Sequence, residues 1–396
     1  MNKSKVIEEV LRMRFEEVYD RFSKKQLTTC EAAELLGISA RTFLRKRDRY
    51  AEDGFEGCYD FRIGKPSPRR ATELAIEHIT QLYAHHYRGF NVKHFHEFAK
   101  REHGLQYGYT WTKNVLEQAG LVRKSKRGGD HRLRRERRPM EGMMIHQDGS
   151  THDWIPSLGY NIDLIVTMDD ATSRITSAFF VLQEGTQSTF RGLKETIEKY
   201  GLFCSFYTDR GSHYWNTPEV GGKVDRSNLT QVGRALKQLG IQHIASYCPQ
   251  GRGRSERMFG TLQGRLPQEL ALQGITTIEA ANQYLQDIYL PRHNAQFMVQ
   301  PEEAQAVWTP WVGKNLEDIL CIHAERIVHN DNTVTYHAFK LQIPSDTVRH
   351  HYVRTTVEVH QYMDGRMGLF YGHRILGLYD PKGQLITLSS KAQEAA

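Results

Sequence analysis

The sequence predicts a multidomain protein: two N-terminal all-α modules, a central α/β domain with a mixed five-stranded sheet, and a small C-terminal β-barrel. Three observations lead there. Residues 1–122 carry helical apolar periodicity punctuated by capping residues, a run dense in arginine and lysine follows, and beyond Pro139 the texture turns alternating and β-branched. The boundaries are 1–65 and 66–122 for the helical modules, 123–139 for a basic linker, 140–312 for the α/β domain and 313–396 for the barrel.

Composition limits the function classes. With 396 residues, 39% hydrophobic and 25% charged, the chain is long enough for several cores and too apolar for wholesale disorder. Its net charge of +7 favours a polyanionic partner. Five cysteines, Cys30, Cys58, Cys204, Cys248 and Cys321, form no C-x-x-C pair and suggest neither a disulfide framework nor a zinc knuckle. The charged start reads as an amphipathic helix rather than a secretory signal, and no run approaches the ~20 apolar residues of a membrane span. The expectation is a cytoplasmic, nucleoid-associated protein.

The first module is punctuated as a helix-turn-helix. In "LTTCEAAELLGISARTFLRKRDRY" Thr28 or Thr29 caps one helix, Gly37 allows a sharp turn, and Ser39 caps a second helix running to Tyr50. Phe43, Leu44, Arg47 and Tyr50 share a face of that helix, leaving Arg41, Arg45, Lys46 and Arg49 able to enter a major groove. A helical hairpin with a basic surface is the alternative. After "GKPSP" the second module repeats the helical pattern through Leu74, Ile79, Leu82, Tyr83, Phe95, Phe98, Val115 and Leu116 and resembles another small DNA-binding domain. Its histidines, His78, His85, His86, His94, His96 and His103, are followed by no cysteine pair and read as solvated or packed side chains.

Nine of the sixteen residues from 123 to 138 are Lys or Arg. A block of that composition cannot enter a core, so Arg123, Lys124, Lys126, Arg127, Arg132, Arg134 and Arg135 are expected to track phosphates from a linker. Past it, "GMMIHQDG", "YNIDLIVTMDD" and "ITSAFFVL" read as three antiparallel strands, "TQSTFRGLKETIEKYG" as a helix and "FCSFYTD" as a buried strand. A further helix, the short strand "IQHIA" and a third helix complete the order βββαβαβα of a ribonuclease-H-like domain.

That order gives three acids a shared purpose. Asp148 lies on the first strand, Asp209 ends the fourth, and Glu256 rides the helix after the fifth, with sixty residues between the first two and forty-six between the last two. Phosphodiester cleavage or transfer needs one divalent ion to activate the nucleophile and another to stabilise the leaving oxygen. Three hard carboxylates suit two Mg²⁺ ions, with Mn²⁺ as a substitute. Arg252 and Arg254, flanking Glu256, are expected to meet DNA phosphates. At 100° per residue Met258, Phe259, Leu262 and Leu266 form the buried stripe of the helix, with Gly260, Gln263 and Gly264 beside Glu256. The glycines suggest close approach of either DNA or a second helix.

The blocks "QDGSTHDW", "YTDRGSHYW" and "SYCPQGRGRSERMFGTLQGRL" resemble the three catalytic blocks of ISNCY-type insertion-sequence transposases of the DDE, or integrase-core, superfamily. The resemblance runs over nearly the whole chain. It implies a DNA transposase that binds the terminal inverted repeats of an element, cuts its 3′ ends and joins them to target DNA as a homo-oligomer on double-stranded DNA, with no membrane partner. A DNA-binding regulator with an inactive core, or a purely hydrolytic ribonuclease-H-like nuclease, are the rival readings.

Asp153, Asp163, Asp169 and Asp170 compete for the first ligand position. "MDDATSR" reads instead as a hairpin turn at the opposite end of the sheet from Asp209. The C-terminal strands, with turns at Asn330 to Asn332 and Asp364-Gly365, either bind DNA through Arg349, Arg354, Arg366 and Arg374 or mediate subunit contacts.

Overall fold

Thr28 opens the helix-turn-helix by a reciprocal cap: its hydroxyl accepts from the Glu31 backbone N–H at 3.4 Å while the Glu31 carboxylate accepts from the Thr28 N–H at 2.7 Å. In the computed structural model, which describes residues 3–58, 70–124, 135–219, 222–247, 249–313, 315–345 and 348–386, α1 (Lys3–Ser23), α2 (Thr29–Leu36) and α3 (Ala40–Asp53) form this first module. Gly37 ends α2 in the left-handed region at φ 63°, a conformation that costs glycine nothing, and Ser39 caps α3. Phe15, Val18, Ala32, Ala33 and Phe43 make its core. The chain divides into two units, Met1–Glu77 and His78–Ala396.

Helices α4 (Glu73–His86), α5 (Val92–His103) and α6 (Tyr109–Gln118) come next. Tyr83 meets Phe95 edge to face with ring centroids 5.0 Å apart, and the Tyr83 hydroxyl donates to the Phe90 carbonyl. The expected packing of the histidines holds for His94 and His96, which are buried.

The central domain is built from β1 (Met144–His152), β2 (Ile162–Asp169), β3 (Ile175–Val181), α7 (Thr186–Tyr200), β4 (Ser205–Thr208), α8 (Gln231–Gln238), β5 (Gln242–Ala245) and α9 (Pro249–Gln263). The sheet order is β3-β2-β1-β4-β5, antiparallel across the first three strands and parallel from β1 to β5. All of β2 is buried because both faces are covered. Leu164, Val166 and Met168 pack against Met258, Phe259 and Leu262 of α9. On the other face Ile145 and Phe206 meet Phe190, Leu193 and Ile197 of α7 and Val232 and Leu236 of α8. Helices α10 (Leu266–Leu272), α11 (Ile278–Tyr284) and α12 (Leu290–Phe297) follow, with Leu266, Leu270, Tyr284 and Leu290 in the α9-side core.

The C-terminal region differs from the closed barrel expected. After α13 (Leu316–Ile319), strands β6 (Ile322–Ile327), β9 (Thr356–Gln361), β10 (Met367–Tyr371), β11 (Arg374–Tyr379) and β12 (Leu385–Ile386) form a sheet in the order β12-β11-β10-β9-β6, and β7 (Thr333–Tyr336) and β8 (Phe339–Gln342) pair only with each other. Among the described residues this sheet is open, with β6 and β12 as its edges. Its apolar face is covered by packing rather than by a closing ladder: Val334, Tyr336 and Leu341 of the hairpin share a core with Val357, Val359 and Leu369.

Candidate active site

The central strand β1 separates two environments by simple alternation. Ile145 and Gln147 face α7, where the Gln147 amide donates to Thr167 Oγ1 at 3.0 Å. His146, Asp148 and Ser150 project from the opposite face. Parallel pairing of β1 with β4 matches Met144 to Ser205, Ile145 to Phe206 and His146 to Tyr207. Continued by two residues, that register sets Asp209 beside Asp148, both half-buried. The turn after β4 fixes Asp209, whose Oδ1 accepts from the Gly211 N–H at 2.9 Å.

Helix α9 runs alongside β1 in the same direction. Its first turns are tied to the start of the strand through Arg254, and its end through Gln263, whose amide donates to Ser150 Oγ at 3.1 Å. Nine residues of helix and four of strand each advance by about 13 Å, so the helix keeps level with the strand. Glu256, exposed, lies only about 20° around the helix from Gln263. It therefore shares the flank that reaches β1, about three strand residues short of Ser150. The three carboxylates are not gathered into a tight cluster: among the described residues only Cys321, His323 and His360 bring three candidate ligand atoms within 4.8 Å of one another.

The arginines expected at DNA are divided in their roles. Arg41, Arg45 and Arg49 are exposed on α3, whereas Lys46 is partly drawn back, its ammonium 5.9 Å from the centre of the Phe15 ring. Arg123 and Lys124 are exposed; Lys126, Arg127, Arg132 and Arg134, the side chain of Arg252 and Cys248 lie outside the described residues. Arg254 and Arg135 are committed elsewhere. Both guanidiniums pair with the fully buried carboxylate of Asp170, which also accepts from the Arg138 N–H at 2.8 Å and contacts His146 Nε2 at 2.7 Å.

Asp170 is therefore more than a polar turn residue. The antiparallel register places Asp169 opposite Ile145, so the turn does lie at the end of β1 away from Asp209, as expected. Yet burial, which alone would raise its pKa, is outweighed by the hydrogen bond from His146, the Arg138 N–H and the Arg254 charge, which hold the carboxyl well below the usual range. Burial, with both arginines nearby, keeps His146 below its ordinary value and neutral, so its Nε2–H is the donor.

The glycines of α9 also separate. Gly260 has open space where a Cβ would stand. At Gly264 the second-helix alternative holds, since the Asn91 amide donates to its carbonyl at 2.8 Å. The helix breaks there, and Leu266 belongs to α10 instead of continuing α9. Next to this break His94 Nε2 lies 2.9 Å from Glu269 and Arg265 pairs with Glu97 at 2.6 Å.

Sequence reasoning missed the side chains behind Asp209. The Tyr214 hydroxyl donates to Gln147 at 3.1 Å and to Glu184 at 3.3 Å, and His213 Nε2 stands 3.5 Å from Glu184. Complete burial, then the charges of Glu184, Asp148 and Asp209, hold the Tyr214 phenol well above its ordinary range. Its position in "RGSHYW" was the available signal.

No family model matches the chain. It is 28% identical over 376 residues to a putative transposase, y4bF, of Sinorhizobium fredii, across 94% of this chain and 81% of that protein. By sequence the chain is similar to insertion-sequence transposases. The chain is also 27% identical over 299 residues to the transposase for insertion sequence IS1202 of Streptococcus pneumoniae, across 66% of its own length and 63% of that protein. Solved structures similar to it include a simian T-cell lymphotropic virus intasome in complex with a PP2A regulatory subunit, at 13% identity and TM-score 0.35, covering 78% of this chain and 97% of that one. Another is the magnesium complex of the HTLV-2 integrase catalytic core domain, at 17% identity and TM-score 0.27, covering 38% and 89%. Among the described residues, no helix is long and apolar enough to cross a membrane.

Proposed function

We propose that this chain is a transposase that binds the terminal inverted repeats of an insertion sequence, cuts the 3′ ends and transfers them to target DNA, with Asp148, Asp209 and Glu256 as its catalytic acids. The parallel β1–β4 register carries this reading, because it sets two carboxylates side by side at one sheet end. These residues suit a pair of Mg²⁺ ions: the acids are hard oxygen donors, two are half-buried, and Glu256 is exposed on the flank of α9 facing β1. Bound there, the ions would activate the attacking water or 3′-hydroxyl and stabilise the leaving oxygen.

The chain's own groups prepare that site. The Gly211 N–H holds one oxygen of Asp209, Tyr214 and Gln147 brace β1 from behind, and Gln263 keeps α9 level with the strand. Arg41, Arg45 and Arg49 of α3 supply groove contacts, and Arg123 and Lys124 supply phosphate contacts. The double-stranded DNA of the element ends and the target is the partner, bound by a homo-oligomer because two ends have to be held together. Incubation of the purified protein with the inverted repeats, a target duplex and Mg²⁺, followed by sequencing of joined products, tests the reading. Hydrolysed ends without any joined product would favour the nuclease instead.

A further inference from the structure

The C-terminal sheet brings together a set of side chains that the transposition chemistry does not use. Cys321 immediately precedes β6, His323 is its second residue, and the β6–β9 register pairs His323 directly with His360. One donor atom from each of the three lies within 4.8 Å of the other two. Glu358 Oε2 borders both imidazoles, 3.8 Å from His323 Nδ1 and 3.4 Å from His360 Nε2. Donors around a tetrahedral zinc ion, bound at about 2.0–2.3 Å, stand roughly 3.3–3.7 Å apart.

The surroundings favour ligation. His323 Nε2 lies 2.8 Å from the Asp318 carbonyl, to which it donates, so Nδ1 carries the lone pair on the side of the cluster. Metal-binding histidines are commonly oriented by such a bond from the other ring nitrogen. His360 is buried and its Nδ1 has no hydrogen-bond partner. Zinc takes imidazole in its neutral form and cysteine as the thiolate, so binding releases the thiol proton. The backbone is braced from α8: Gln231 exchanges two hydrogen bonds with His323, at 2.8 and 3.0 Å, and Arg234 donates to the Cys321 carbonyl at 2.6 Å.

We propose that Cys321, His323 and His360 bind a structural zinc ion, with Glu358 the carboxylate at hand for a fourth position. The two rings are stacked with centroids 3.7 Å apart at 15°, so one imidazole turns when the ion enters. The ion would pin β6 to β9 beside α8, at the join of the terminal sheet and the catalytic domain. Nothing in this proposal depends on the three catalytic acids.

Zinc analysis and cobalt substitution of the full chain test it. After loading with zinc and dialysis, about one ion per chain should remain, and chelation should lower the melting temperature. The cobalt-loaded protein should show a thiolate-to-cobalt charge-transfer band with tetrahedral visible bands. Cys321→Ser should remove the charge-transfer band while Cys30→Ser, Cys58→Ser and Cys204→Ser keep it. Should Cys321→Ser not fold, His360→Gln, which retains every thiol, is expected to weaken retention at least tenfold. No retained zinc in the parent chain, or a charge-transfer band that survives Cys321→Ser, would overturn the proposal.

Discussion

Arg254 of α9 and Asp170 of the β2–β3 turn form an ion pair in which the carboxylate has no exposure to solvent. The pair ties the helix bearing Glu256 to the start of β1, where His146 contacts the same carboxylate.

Asp170→Asn should therefore cost stability first. It leaves the guanidiniums of Arg254 and Arg135 without their shared counter-ion, and breaking one side of a buried pair costs about 3–5 kcal/mol. Denaturant unfolding should show that loss, and the cleavage rate per folded molecule should stay within about tenfold of the parent. Unchanged stability would mean that the carboxylate contributes nothing in solution.

Asp148→Asn, Asp209→Asn and Glu256→Gln should each abolish cleavage and joining, by about a thousandfold or more, with near-parental affinity for inverted-repeat DNA. Paired cleavage and gel-shift assays check this. Near-normal cleavage by Glu256→Gln would remove α9 from the active site.

Arg41→Ala and Arg45→Ala should weaken binding to the inverted repeats by about 1–3 kcal/mol more than binding to random DNA, because base-edge contacts discriminate and phosphate contacts do not. Equal losses on both duplexes would reduce α3 to a general basic surface.

Acidification should destabilise the fold before its carboxylates titrate. Burial depresses His243 to about 3, and burial with the neighbouring Arg265 depresses His293 to about 4, against Glu269. Both bind protons more readily when unfolded, so their contribution is complete above the unfolded value near 6.5 and falls as pH drops toward those folded values. Each should give a slope of about 1.4 kcal/mol per pH unit within that window. Melting curves from pH 7 to 4 read it, and replacing either histidine with Gln should flatten the slope.

Much of this was legible because it is local. Thr28, Gly37 and Ser39 punctuate their helices by chemistry within three or four residues, and the alternation of β1 places Asp148 on one face. Asp170 was read only as a hairpin-turn residue because turn composition says nothing of the arginines that arrive from the linker and from α9, 35 and 84 residues away. The contact between His94 and Glu269 spans 175 residues. The missing barrel closure has the same origin, since a strand's sequence records its alternation and not which edge remains unpaired. Cys321 and His323 stood two residues apart in plain view, but the third side chain, His360, comes from another strand.

The bond from Asn91 to Gly264 joins the N-terminal cap of α5 to the residue just after α9, and the His94–Glu269 contact grips the following helix. The C-terminal end of α9 is thus tied to the start of α5. A load applied to α5 would arrive at the elbow between α9 and α10, less than three helical turns from Glu256. In mechanical terms, α5 and α9 share one elbow, and a push on the first is felt at the second.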